Sequence, residues 1–434
     1  MSTPPDSSAL PSPSPPPLPA PPAPSALSAL SAQRPSTLLL AALSTVGPFS
    51  IDTFLPALPA LAAGLNASTL QAQQALSAYL AGFALMSLWH GAISDALGRR
   101  PVVLVSMAVY AAAALACTIA PSIELLIGAR LVQGLSGGAG FVITRAIIRD
   151  CFEGVAAQRM LSNVMVIFAI APALAPLLGG YLDTWFGWRS VFGFMLAASM
   201  ALWLWLWLAL PETLAASQRR PLHPLPLARA YLQVFTRAEF GLLAGCLAFN
   251  FSAFFIYIMA SPAFVINHLK LTGTDFGWLF IPAIGGMMLG NRIVNRFAGR
   301  ISARRMVALG FTVMGAGVGI NLLLQFTLAP RLAPGSWLTF ISIAPIAVAA
   351  IGQSLITPTV QILLMDLFPD RRGMMSSCQG FTQVLVSALT AGVVAPLLSD
   401  SAQQLVLGAA AFYLTGLAFW LAYQRSHTAS AGAR

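Results

Sequence analysis

The chain has 434 residues, of which 57% are hydrophobic and 8% charged, with a formal net charge of +10. That balance excludes a soluble domain and fits a chain built mostly of membrane-spanning helices. The basic residues are scattered between apolar runs and form no continuous face, so nucleic acid is not an expected partner.

Residues 1–36 are almost entirely Pro, Ser and Ala, lack the apolar core of a signal peptide, and are expected to be a disordered tail. Apolar runs follow near 37–60, 73–93, 101–120, 124–148, 160–182 and 189–210. A polar, proline-bearing stretch, 211–238, reads as a linker, and further runs lie near 239–264, 274–295, 303–325, 336–362, 374–398 and 403–423, leaving 424–434 as a second tail. A crossing needs about 20 apolar residues. The expected fold is therefore an all-α integral membrane protein with twelve transmembrane helices in two six-helix units, 37–210 and 239–423.

Of the 23 Lys and Arg residues, nineteen fall on the side of the two termini, three (Arg189, Lys270, Arg331) on the other, and Arg130 lies within a span. The positive-inside rule then puts both termini in the cytoplasm. The halves echo each other. Asp95-Ala-Leu-Gly98-Arg99 after the second span matches Arg296-Phe-Ala-Gly299-Arg300 after the eighth, and Ala175-Pro176-Leu177-Leu178 in the fifth matches Ala395-Pro396-Leu397-Leu398 in the eleventh. Duplication of a six-helix unit explains both, and such paired bundles can rock around a central cavity. Cys117, Cys151, Cys246 and Cys378 are isolated and lack metal-ligand spacing, so no metal or other cofactor is expected.

In the first span, Asp52 lies within Pro48-Phe-Ser-Ile-Asp52-Thr-Phe-Leu-Pro56-Ala-Leu-Pro59. A carboxylate at bilayer depth costs about 3 kcal/mol, which marks Asp52 as a candidate proton carrier facing a cavity. A helix ending early, before Pro56 and Pro59, would instead leave Asp52 as an outer cap.

The second loop reads Gly91-Ala-Ile-Ser-Asp95-Ala-Leu-Gly98-Arg99-Arg100-Pro101. Gly91 permits close helix approach, Gly98 a tight turn, and Asp95 with Arg99 can latch helix ends together. The segment resembles the signature loop of the major facilitator superfamily. By that analogy Asp95 or Arg99 is expected to engage Asp150 or the start of the eleventh helix.

Arg130, in Arg130-Leu-Val-Gln133-Gly134-Leu-Ser-Gly137-Gly138, resembles the same family's fourth-helix pattern. An arginine stays charged at any depth and needs an internal partner or water, so Arg130 joins Asp52 as a proton-coupling candidate, influencing it where the two approach; snorkelling to the outer surface is the alternative. The fifth span, Ala171-Pro172-Ala-Leu-Ala175-Pro176-Leu-Leu-Gly179-Gly180, resembles the antiporter signature, with Ala171 and Ala175 where glycines are usual. Pro172, Pro176, Gly179 and Gly180 suit hinge-like close packing.

Phe186-Gly-Trp188-Arg189, Leu210-Pro211-Glu212-Thr213 and Tyr257-Ile-Met-Ala-Ser261-Pro262, taken with the Asp52–Pro59 segment, resemble the bicyclomycin- and chloramphenicol-resistance branch of drug:proton antiporters. The resemblance runs over roughly residues 37 to 425. It implies export of small amphipathic, drug-like substrates across a bacterial inner membrane in exchange for protons, the proton being the coupling ion; a monomer in the lipid bilayer is expected. On the seventh helix Asn250, Phe254, Tyr257 and Ser261 share one face, and on the tenth Gln353, Thr357 and Gln361 do so. These are candidate substrate contacts, with interhelical hydrogen bonding as the alternative role. Proton-driven uptake of a nutrient remains open under the same fold. An enzyme lacks clustered ligands or a nucleophile with its base, and a sensor lacks a soluble domain.

Overall fold

The computed structural model describes residues 35–219, 221–297, 300–368 and 372–432, the side chains of 372 and 427–432 excepted. The expected tail therefore lies outside the described residues but for Pro35 and Ser36, and so does Gly299 of the repeated loop. Twelve helices are long and apolar enough to cross a membrane, and no strand occurs among the described residues. In chain order the spans are Thr37–Gly64, Thr69–Leu97, Arg99–Thr118, Ile123–Cys151, Gly154–Phe186, Arg189–Ala209, Ala238–Met259, Gly277–Phe297, Ala303–Arg331, Ser336–Met365, Gly373–Leu398 and Ala402–Ser426.

Starts are set by serine caps. Ser36, Ser122 and Ser302 accept from the backbone N–H three residues on, and Ser68 forms a capping box with Gln71. Three boundaries depart from the sequence pattern. Span 1 is broken: the helix Thr37–Asp52 stops, a tight turn runs over Leu55–Ala57, and Leu58–Gly64 resumes. Pro56 and Pro59 donate no N–H to the carbonyls of Asp52 and Leu55, which weakens the helix where it breaks. The stretch 211–238 is not merely a linker, because it contains the amphipathic helix Pro224–Phe235. The last helix continues past 423 to Gly432, since Gln424-Arg-Ser-His-Thr-Ala holds no breaker.

The two halves repeat one packing scheme. Spans 2 and 4, 3 and 4, and 3 and 6 pack in the first half as 8 and 10, 9 and 10, and 9 and 12 do in the second. Glycines make the tightest crossings possible. A Cβ at Gly82 would strike the Leu131 carbonyl and one at Gly134 the Tyr79 carbonyl; Gly286 and Gly290 stand likewise against Ala347 and Ile351.

The halves meet along spans 2 and 11 and along spans 5 and 8. Span 11 widens into a π turn over Thr390–Val394. Pro396 has no N–H for the Gly392 carbonyl. That carbonyl accepts instead from Gln74 Nε2 of span 2 (2.7 Å), while the Ser77 hydroxyl donates to the Ala388 carbonyl (2.8 Å). Both contacts lie toward the end opposite the arginine-rich loops.

Candidate functional site

Asp52 is the last residue of the helix Thr37–Asp52 and is 6% exposed. Its side chain makes no ion pair or hydrogen bond among the described residues. The helix ends at Asp52, and after the turn Leu55–Ala57 the short helix Leu58–Gly64 continues the span beyond it. The break is braced from span 5. A Cβ at Gly179 would collide with the Thr53 carbonyl, so the glycine lets the two backbones touch beside the carboxylate. Gly180 abuts the Gly273 carbonyl of the second half in the same way. Pro172 and Pro176 sit within the continuous helix Gly154–Phe186.

Arg130 is fully buried inside the first half rather than snorkelling outward. One guanidinium nitrogen donates to Gln133 Oε1 (2.6 Å) and the other to the Ser50 carbonyl (3.0 Å). The rings of Tyr79, Phe54 and Phe192 stand 4.3, 4.8 and 5.9 Å from its central carbon. The Ser50 hydroxyl meets the Tyr110 hydroxyl, which ties span 3 to the same turn. Arg130 thus caps the broken end of the first helix, and it forms no ion pair with Asp52. The guanidinium is committed to Gln133 Oε1 and the Ser50 carbonyl, two residues before the carboxylate.

At the basic end the loop after span 2 brings Asp95, Arg99 and Asp150 together. Arg99 donates to Asp150 Oδ2 (2.9 Å), to Asp95 (2.5 Å) and to Ser94 Oγ (2.7 Å). Arg100 donates to the Trp207 carbonyl (2.7 Å). Gly98 holds φ at +102°, a left-handed conformation that favours glycine. At Gly91 a Cβ would meet only Val142 Cγ1 at 3.7 Å, so the close approach expected there needs no glycine. The tight crossing of spans 2 and 4 falls instead at Gly82 and Gly134.

Glu212 has a structural role that its place in the Leu210–Thr213 resemblance does not imply. Its carboxylate accepts from the backbone N–H of Arg99 (3.0 Å) and of Leu214 (3.0 Å), which caps span 3 from beyond span 6. The available signal was an acidic residue just after a proline in an otherwise basic loop. A carboxylate on a helix N-terminus contributes about 1 kcal/mol. Glu212→Ala should therefore lower the unfolding midpoint of the detergent-solubilised protein by about one degree, and Glu212→Gln by less. An unchanged midpoint in Glu212→Ala would deny the cap.

In the second half the polar stripe of span 7 enters the packing of its own bundle. Asn250 lies against Gly416 of span 12, and Asn321 of span 9 donates to the Tyr257 hydroxyl (2.9 Å). Phe254 and Tyr257 line a small enclosed space with Asn321, Pro345 and Ala409. The Ser261 hydroxyl is buried without a partner among the described residues. On span 10, Gln353 donates to Thr357 Oγ1 (3.1 Å) and keeps its carbonyl oxygen unpartnered, while Gln361 is half-buried.

The Major Facilitator Superfamily model matches residues 38–327 and 243–433. A bicyclomycin resistance protein homolog of Haemophilus influenzae is 26% identical over 374 residues, covering 84% of this chain and 90% of its own. A chloramphenicol resistance protein of Pseudomonas aeruginosa is 29% identical over 289 residues, 65% of this chain and 66% of that one. Among solved structures, a bacterial homolog of the human lysosomal transporter Spinster superposes with a TM-score of 0.67 at 17% identity, over 90% of this chain and 96% of its own. A D-xylose–proton symporter superposes with a TM-score of 0.66 at 15% identity, over 89% and 96%. At such identities the two structures establish the fold alone.

Proposed function

This chain belongs to the major facilitator superfamily, a family of membrane transporters and not enzymes, and we propose that it exports structurally varied amphipathic drugs in exchange for protons. The observation that carries the reading is Asp52: a buried carboxylate at a helix break, with no cation paired to it. Such a group is stable in the membrane when protonated and exposed to a cavity when charged, which is the property a proton carrier needs. The names of the relatives, resistance to bicyclomycin and to chloramphenicol, support drugs as cargo.

In this scheme the two six-helix units, 37–210 and 239–423, move against each other, and the arginine-rich end faces the cytoplasm. Substrate enters from that side while Asp52 is charged. The bundles then part at the other end, Asp52 takes a proton, and the substrate leaves. Coupling follows if proton and substrate disfavour each other's binding. Arg130 acts by holding the turn that carries Asp52. Of the substrate candidates, Asn250 and Gln353 each keep a buried side-chain oxygen free for a ligand, Phe254 and Tyr257 line the enclosed space beside Asn321, and Gln361 extends the face of Gln353. The transporter works as a monomer and needs no cofactor.

The test expresses the chain in an efflux-deficient bacterial strain and measures susceptibility across unrelated antibiotics and dyes, alongside fluorescent-dye uptake into everted vesicles. Protection against several unrelated amphipaths, with uptake that collapses when the pH gradient is dissipated, is the expected result. Accumulation of one preferred solute in right-side-out cells would overturn export.

A further inference from the structure

The helix Pro224–Phe235 presents three faces, and only one of them has its partner within the protein. The first packs inward: Tyr231 and Val234 are buried in the core of the second half, with Leu227 against it. Phe235 meets Phe240 and Phe381 at ring-centroid distances of 5.4 and 5.7 Å. The Tyr231 hydroxyl donates to the Leu88 carbonyl of span 2 (2.6 Å), so the helix also touches the first half. Burial pushes the Tyr231 phenol up to about 12, which keeps it a neutral donor at physiological pH.

The second face is apolar and bare. Leu225 and Leu232 are 73% and 62% exposed. Seven residues apart, they stand almost on the same azimuth, roughly 110° around the helix from the buried Tyr231 and roughly 170° from Val234. The third face carries Arg229 and Gln233, both exposed. Arg229 has no partner among the described residues. Around the helix the order is thus protein, bare leucine, cation. The helix ends at Phe235 and span 7 begins at Ala238, so the bare leucines are held within a few residues of a membrane entry point.

An apolar stripe between a protein-packed face and a cationic edge is the pattern of a helix lying in the headgroup–acyl boundary. We propose that Leu225 and Leu232 are seated in the anionic lipid leaflet at the basic end, with Arg229 on a lipid phosphate. The lipid is recognised by two chemistries at once: acyl chain against leucine, and negative headgroup against guanidinium. A zwitterionic surface supplies only the first. The inference rests on the proposed placement of the arginine-rich end and not on export or proton coupling, so it can fail while the transport reading stands.

The test places a single nitroxide at Leu225→Cys, Leu232→Cys or Gln233→Cys in the full-length protein, with its native cysteines replaced by alanine. Each is reconstituted in phosphatidylethanolamine–phosphatidylglycerol vesicles and in phosphatidylcholine vesicles. In the anionic vesicles, oxygen should relax the labels at 225 and 232 more than an aqueous nickel chelate does, and the order should reverse at 233. Arg229→Gln should bring the anionic profile to that of phosphatidylcholine. Labels at 225 and 232 as open to the nickel chelate as the one at 233 would overturn the proposal. So would dipolar broadening that reports a second copy on this face, or identical profiles in the two lipids.

Discussion

Replacing Asp52 with Asn should reduce pH-gradient-driven efflux to the level of membranes lacking the transporter, while the protein remains folded. Asparagine has nearly the shape of a protonated aspartate, so the packing around the break between Asp52 and Leu58 is retained. It cannot exchange a proton, however, so the cycle loses its driving reaction. A carboxylate at this depth costs about 3 kcal/mol when charged, and the amide avoids that cost. The unfolding midpoint should therefore stay level or rise. Dye exchange down its own gradient, which needs no proton, should survive. Efflux in vesicles under an imposed pH gradient reads the first outcome and thermal unfolding in detergent the second. Undiminished gradient-dependent efflux would remove Asp52 from the coupling step.

Arg130→Ala should be the most destabilising polar substitution in the first half. It strips the bond from the Ser50 carbonyl, leaves Gln133 Oε1 without its donor, and opens a hole between Tyr79, Phe54 and Phe192. Unsatisfied buried polar groups and a lost large side chain together cost about 3–5 kcal/mol. Arg130→Lys is the more telling variant. An ammonium keeps the charge but is a point donor, unable to stack flat between rings while bonding Gln133 and Ser50 together. It should restore little of the thermal stability and little of the efflux. If lysine restores both, the charge matters and the fork does not.

Helix number was legible because lipid imposes a length and a hydropathy on each crossing, and neither depends on which helices become neighbours. The pairing of Arg99 with Asp150 was one of two partners that the family resemblance implied, the other being the start of the eleventh helix, and no spacing in the chain chooses between them. The ladder from Arg130 to Gln133 follows from a spacing of three on one helix. What the pattern could not give was direction in space. Periodicity puts Asn250, Phe254 and Tyr257 on one face, but not which neighbour that face meets, and it meets spans 9 and 12. The stop at Asp52 was ambiguous because two prolines can kink a helix or end it, and packing against Gly179 decides. The helix Pro224–Phe235 was hidden because its two prolines and short length imitate a loop, and its amphipathic character emerges only against a body to lean on.

The seam between spans 2 and 11 has an evolutionary corollary. Gln74 and Ser77 recognise main-chain oxygens, one of them left over by Pro396 and the π turn, so the second half contributes shape there and no side-chain identity. Residues of span 11 can drift in kind so long as they stay small at 392, where a Cβ would press on Ser77. A contact of that sort can be undone and remade in every cycle without any particular pair of side chains having to find each other. Two duplicated units can then diverge in sequence and still close on one another.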